Sequence, residues 1–186
     1  MRVVSTESEI IQARMRLLPQ RYKQFRNSIW QNYTEVGTRA LQCGDTNLAG
    51  IMFSEALAEA RKEDSLDYRL AVSYAHVGHI QFSRGDFPQA ANNYLRALAI
   101  TRNVKDTPKE FEIMLLETLA DIRMEQDQLR LAKRHLTRAL NLRESFTPEQ
   151  KTAQAKILLK LATIFSEFKD TDQALALYER SKSMRS

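Results

Sequence analysis

The chain is poor in the residues that staple, bend or embed a protein. Its single cysteine, Cys43, leaves no partner for an internal disulfide and too few thiols for a multi-cysteine zinc or iron–sulfur site. Five glycines and four prolines in 186 residues are too few for the many tight turns of an all-β sandwich. No apolar run approaches the roughly 20 residues that span a bilayer, and MRVVSTESEI lacks a signal-peptide core. A chain without a transmembrane segment, in a reducing, cytoplasmic compartment, is the expectation. The P-loop, GxSxG, HExxH and dinucleotide-binding glycine patterns are all missing, so no catalytic function and no cofactor are expected.

What remains is an ordinary globular mixture, 43% hydrophobic and 27% charged, in a chain long enough for one sizeable core. The net charge of +5 is concentrated at one end. Residues 1–29 carry six basic side chains (Arg2, Arg14, Arg16, Arg21, Lys23 and Arg26) against Glu7 and Glu9, while the remainder is nearly neutral. No domain-wide nucleic-acid footprint exists, so nucleic acid is a poor candidate partner.

The dominant signal is internal repetition. Tyr74, Gly78, Gly85-Asp86-Phe87, Ala90, Tyr94 and Ala97-Leu98 repeat the order of types in Tyr33, Gly37, Gly44-Asp45, Ala49, Phe53 and Ala56-Leu57. Two further copies run Leu116, Ala120, Ala132, Leu136, Ala139 and Leu158, Ala162, Ala174, Tyr178, Ser181. Gly37, Gly78, Ala120 and Ala162 stand 41, 42 and 42 residues apart, and Ala49, Ala90, Ala132 and Ala174 keep the same intervals. Within each copy apolar residues fall three or four apart, the period of a buried helical stripe. Each copy is therefore two helices that approach through small residues. Gly44-Asp45 and Gly85-Asp86 write the turn inside the hairpin, glycine taking the left-handed cap and aspartate capping the next helix. Thr107-Pro108-Lys109-Glu110 and Thr147-Pro148-Glu149-Gln150 read as capping boxes between copies, with Asp64 or Ser65 doing the same job before Tyr68. The expected fold is all-α: a right-handed superhelical solenoid of four helical hairpins, at about 30–66, 67–106, 107–146 and 147–186, preceded by an N-terminal helix or split helix in residues 1–29.

These residues resemble the tetratricopeptide repeat over about residues 30–184, and the second copy fits best. The 41–42-residue spacing is similar to the longer-helix branch found in kinesin light chains and some bacterial peptide-sensing regulators. Asp127 and Lys169 stand where that family has the turn glycine, so those two turns are expected to be less regular. The resemblance implies a concave surface lined by the first helix of each hairpin, where partner peptides lie. Carried over residue by residue, it selects Gln31, Thr34, Glu35, Thr38 and Leu41, then Val72, Ala75, His76, His79 and Phe82. The later copies contribute Met114, Glu117, Thr118, Asp121, Met124 and Glu125, then Lys156, Leu159, Lys160, Thr163 and Glu167. Leu41, Phe82 and Met124 hold equivalent places and would form an apolar band, with Phe82 the best anchor. The acidic row Glu117, Asp121 and Glu125 faces Lys156 and Lys160, either to recognise a ligand or to pair across adjacent helices. The chaperone-tail carboxylate clamp is disfavoured, because Thr34, Thr38, His76, Met114 and Thr118 replace its lysines, arginine and asparagines.

Other features have plain explanations. His76 and His79 lack a third ligand and read as polar lining, and Cys43 reads as a packed thiol. Arg130, Arg134 and Arg138, with Lys133, read as a solvated outer face, an anionic partner being the sharper alternative. Ile11, Met15, Leu18, Tyr22, Phe25 and Ile29 form one stripe that caps the first hairpin, joins two copies or backs a basic patch, and Pro19 should kink or split that helix. The function expected is a non-catalytic module binding a protein or peptide of unknown identity. The alternatives are a self-assembling, homo-oligomeric scaffold joined through array ends or the N-terminal helix, and an anionic ligand, nucleic acid or lipid, on residues 1–29.

Overall fold

The computed structural model describes residues 7–62, 67–105 and 107–184, with side chains described for residue 24 and from residue 26 onward. Eight helices and no strand occur among them: α1 (Glu7–Gln42), α2 (Thr46–Ala60), α3 (Tyr68–Ser83), α4 (Phe87–Thr101), α5 (Lys109–Glu125), α6 (Leu129–Phe146), α7 (Lys151–Glu167) and α8 (Thr171–Ser183). The chain divides into two compact units, Met1–Asp64 and Ser65–Ser186.

In the first unit α1 packs on α2. The expected split at Pro19 does not occur, and α1 is one continuous helix of 36 residues. A proline removes a single backbone bond, and the long helical run on either side outweighs that loss. Of the N-terminal stripe only the Ile29 side chain lies among the described residues, half-buried. Phe53, fully buried on α2, fills the space left by Gly37, where an added Cβ would sit 2.6 Å from its Cε1. The two helices are also locked by a buried ion pair, Arg26 Nε to Glu59 Oε1 at 2.8 Å. Arg26 further donates to the Glu59 backbone carbonyl, and Lys62 reaches the other carboxylate oxygen at 2.6 Å. Burial raises the Glu59 carboxyl, but Lys62 and Arg26 outweigh it and hold the group below its ordinary range.

In the second unit six helices stack in chain order, α3 on α4, α4 on α5 and so on to α8. The core is aliphatic in its middle, with Ile113, Leu115, Leu116, Leu119, Ile122 and Leu136 fully buried. Burial fades in α8, where only Ser181 is enclosed and Leu175 and Tyr178 stand 62% and 51% exposed.

All four hairpin turns close with the same two backbone bonds. Gly44 N–H donates to the Leu41 carbonyl and Asp45 N–H to that of Ala40, and the pairs repeat at Gly85/Asp86, Asp127/Gln128 and Lys169/Asp170. Gly44 and Gly85 take φ of +80° and +77°. Asp127 and Lys169 adopt the same left-handed region at 56° and 61°, so the turns expected to be irregular are regular at a local backbone cost. Asp45, Asp86 and Asp170 cap the helices that follow, accepting from Leu48, Gln89 and Gln173 N–H.

The caps between hairpins differ from expectation. Asp67, not Asp64 or Ser65, caps α3 by accepting from Leu70 N–H, and the latter two lie outside the described residues. Thr107 and Thr147 do not cap α5 and α7; their hydroxyls donate backward to the Val104 and Arg143 carbonyls. A threonine following a helix finds unsatisfied carbonyls behind it as readily as free N–H groups ahead, and here the former win.

Candidate functional site

The first helix of each hairpin buries one side and leaves the opposite side open. On α1, Thr34 and Leu41 are half-buried and Gln31, Glu35 and Thr38 exposed. On α3, Val72, His76 and Phe82 are half-buried, His79 is exposed, and Ala75 is enclosed and unavailable to a ligand. On α5, Glu117, Thr118, Asp121 and Met124 are half-buried and Met114 and Glu125 exposed. On α7, Leu159 and Lys160 are half-buried beside exposed Lys156, Thr163 and Glu167.

The threonines of this side are already occupied. Thr34, Thr38, Thr118 and Thr163 each donate to the carbonyl four residues back, at Trp30, Thr34, Met114 and Leu159. The hydroxyl proton of each is thus engaged within its own helix, and Thr118 also lies beside the Tyr94 hydroxyl. Phe82 is less free than its motif place suggests, because its ring packs against Phe87 at 5.8 Å between centroids. Met124, its counterpart one hairpin on, is half-buried like it.

Charge joins α5 to α7. Asp121 pairs with Lys160, which brings the open sides of the two helices together. Glu117 does not meet Lys156. It receives Arg143 of α6 at 2.8 Å, and that guanidinium also reaches Glu110 at 3.4 Å and Gln150 at 2.7 Å. Lys156 is left exposed, with no ion-pair partner among the described residues. His76 is pulled down to about 4 by burial and by its neighbour His79, so it is neutral near pH 7. No cluster of three metal-ligating side chains occurs among the described residues.

The basic row of α6 is not uniformly solvated. Arg138 pairs with the buried carboxylate of Glu112, which Lys109 also holds. Lys133 lies over the Phe165 ring at 4.9 Å and the Phe168 ring at 5.8 Å. Arg134 instead borders a cleft that also receives Arg102 and Arg123, two arginines that residue spacing along α6 could not reveal. Cys43 is exposed rather than packed, because it falls in the turn just before Gly44, past the stripe that α1 buries. No helix among the described residues is long and apolar enough to cross a membrane.

No protein of curated function matches the chain significantly in sequence. Solved structures do resemble it in fold. BtubC (BKLC) from P. vanneervenii superimposes with a TM-score of 0.73 at 21% identity, over 91% of this chain and 67% of that one. A Podosopora anserina protein with nearly identical TPR-like repeats, assigned as a kinesin light chain, gives 0.67 at 14% identity, over 84% and 74%. MamA gives 0.66 at 11% identity, over 98% and 96%. The model of the MalT-like TPR region matches residues 8–185, and the chain, an all-α helical-repeat solenoid, belongs to that family.

Proposed function

We propose that the chain is a non-catalytic protein-interaction module that binds a peptide or partner helix along the open side of α3, α5 and α7. Folds of this family generally mediate protein–protein contacts or scaffolding, and their neighbours are typically non-catalytic. The observation that carries the reading is the Asp121–Lys160 pair, which sets the open sides of α5 and α7 next to one another. The reading assigns His79, Met124 and Thr163 to the same site, with Phe82 on α3 as the aromatic anchor and exposed Lys156 available to an acidic group. A ligand suited to this side carries apolar groups for Phe82 and Met124 and an acidic group for Lys156.

The test is selection of a displayed peptide library on the whole chain, followed by variants of the site. Phe82→Ala should weaken a selected peptide by about 1–3 kcal/mol with helical content unchanged. Asp121→Lys should place two lysines together, alter the salt dependence and slow association. Binding that survives both changes but is lost when Arg14, Arg16, Arg21 and Lys23 are all replaced by glutamate would move the site to the N-terminal helix. Replacement is preferable to deletion through residue 29, which would remove Arg26 and strand Glu59.

A further inference from the structure

Away from the open sides of α3, α5 and α7, a cleft of about 420 Å³ lies between α4 and α6 with α5 at its base. Four arginines enter it: Arg102 from the end of α4, Arg123 from the last turn of α5, and Arg134 and Arg138 from successive turns of α6. No acidic side chain lines it among the described residues. Of the four, only Arg138 has a carboxylate partner, Glu112. Arg123 donates to the amide oxygens of Gln126 and Gln128 at 2.8 and 2.7 Å, and its buried Nε has no hydrogen-bond partner. Arg102 and Arg134 form no ion pair among the described residues.

Three uncompensated guanidinium groups around one cavity repel one another. Their local effect is visible in His135, which sits among them. Burial, followed by Arg123, Arg134, Arg138 and Arg102, pulls its imidazole down to about 4. The base of the cleft is of the opposite character, with Leu98 and Leu116 buried and Leu95 and Leu131 about 40% exposed at its edge. A cavity of this size, apolar below and cationic above, has the dimensions of a small-molecule site. Guanidinium groups match a phosphate with paired N–H donors, and a dianion neutralises more of the cluster than a carboxylate does.

We infer that the α4–α6 cleft is a binding site for a small phosphate monoester carried on an apolar body, the phosphate held by Arg102, Arg123 and Arg134 and the body resting on the leucines. Phosphate monoesters also occur on phosphorylated proteins, so the test separates the two sources.

The whole chain is titrated with phenyl phosphate at pH 7.5, where the monoester is largely a dianion, by calorimetry and by NMR of the three histidine side chains. Saturable binding is expected, with the His135 resonances moving selectively and its titration shifting toward higher pH as the anion offsets the arginines. Inorganic phosphate and phenol, the two halves of the probe, should each bind at least tenfold more weakly. Arg123→Gln and Arg134→Gln should each weaken phenyl phosphate tenfold or more, while Arg130→Gln, on the same helix outside the cleft, should change it less than twofold. Arg134 is exposed, so its variant remains informative if Arg123→Gln does not fold. The inference is overturned if phenyl phosphate fails to saturate at millimolar concentration, or if Arg130→Gln weakens it as much as Arg134→Gln. It is also overturned if inorganic phosphate binds equally well. A phosphotyrosine peptide binding tenfold tighter than phenyl phosphate would overturn the small-molecule assignment in favour of a phosphoprotein.

Discussion

Gly37 offers the sharpest test of the packing. In a Gly37→Ala chain the new methyl would lie 2.6 Å from Phe53 Cε1 and 2.8 Å from Cδ1, so the ring must retreat by about 0.8 Å to reach ordinary contact. Phe53 is 0% exposed and has nowhere open to go. Overpacking of this order costs about 1–3 kcal/mol, while replacing a mid-helix glycine by alanine returns roughly 1 kcal/mol. The net expectation is a loss of about 1 kcal/mol. Gly78→Ala is gentler, because its methyl meets the Tyr94 ring at 3.0 Å and the Ala90 carbonyl at 3.4 Å, and the two effects should nearly cancel. The third hairpin places Ala120 and Leu136 at the positions of Gly37 and Phe53, so the array already contains the compensated version. Phe53→Leu added to Gly37→Ala should therefore cost less than the two changes summed, with coupling of about 1–2 kcal/mol. Urea unfolding followed by the fluorescence of Trp30, the single tryptophan, reports on this unit. A Gly37→Ala chain at least as stable as the parent, with strictly additive effects in the double variant, would refute the close approach of α1 and α2.

The buried pair of the first unit gives a second expectation: Arg26→Ala should cost up to about 3 kcal/mol, because Glu59 loses one buried partner but keeps Lys62 at 2.6 Å, measured by the same urea titration. Because the Glu59 carboxyl is held low in the folded chain, its contribution is present above the ordinary carboxylate range and fades as pH falls through the lowered value, so the Arg26→Ala penalty should shrink in acid. At the turns, Lys169→Gly should gain up to about 1 kcal/mol by relieving a left-handed lysine, and Gly85→Ala should lose a similar amount although nothing lies within 4 Å of the new methyl. Thermal melts showing no change in either would remove the backbone account. Ala90, 0% exposed, should tolerate leucine far worse than exposed Gln89 tolerates alanine, by about 1–3 kcal/mol on denaturation.

How far the sequence speaks depends on whether a feature is periodic or local. The hairpins were legible because the small residues from Gly37 to Ala162 mark every close approach at a fixed interval, and burial follows them through Ala120 and Leu136. The turns were legible as places but not as geometries, since a lysine at positive φ looks like a substitution that should disturb the turn. Caps were the weakest readings. Thr107 and Thr147 had donors ahead and acceptors behind within equal reach, and only the backbone path decides between them. Partners distant in sequence were invisible: nothing local links Arg26 to Glu59, 33 residues away, or sends Glu117 to Arg143 instead of Lys156. The same holds for the arginine cleft, where α6 shows half the cluster as a four-residue rhythm and Arg102 and Arg123 join it only through packing.

The common closing turn has a mechanical consequence. Each hairpin is clasped by two main-chain bonds that do not depend on which side chains stand there, and in the second unit each helix leans chiefly on its neighbours in the chain. Such an array has no single keystone. Drawn from its ends, the second unit should surrender hairpin by hairpin, each release paying out 42 residues, a slack of roughly 140 Å at about 3.4 Å per extended residue. Evenly spaced slack of that kind makes the array a graduated tether, whose length under load is counted in whole repeats.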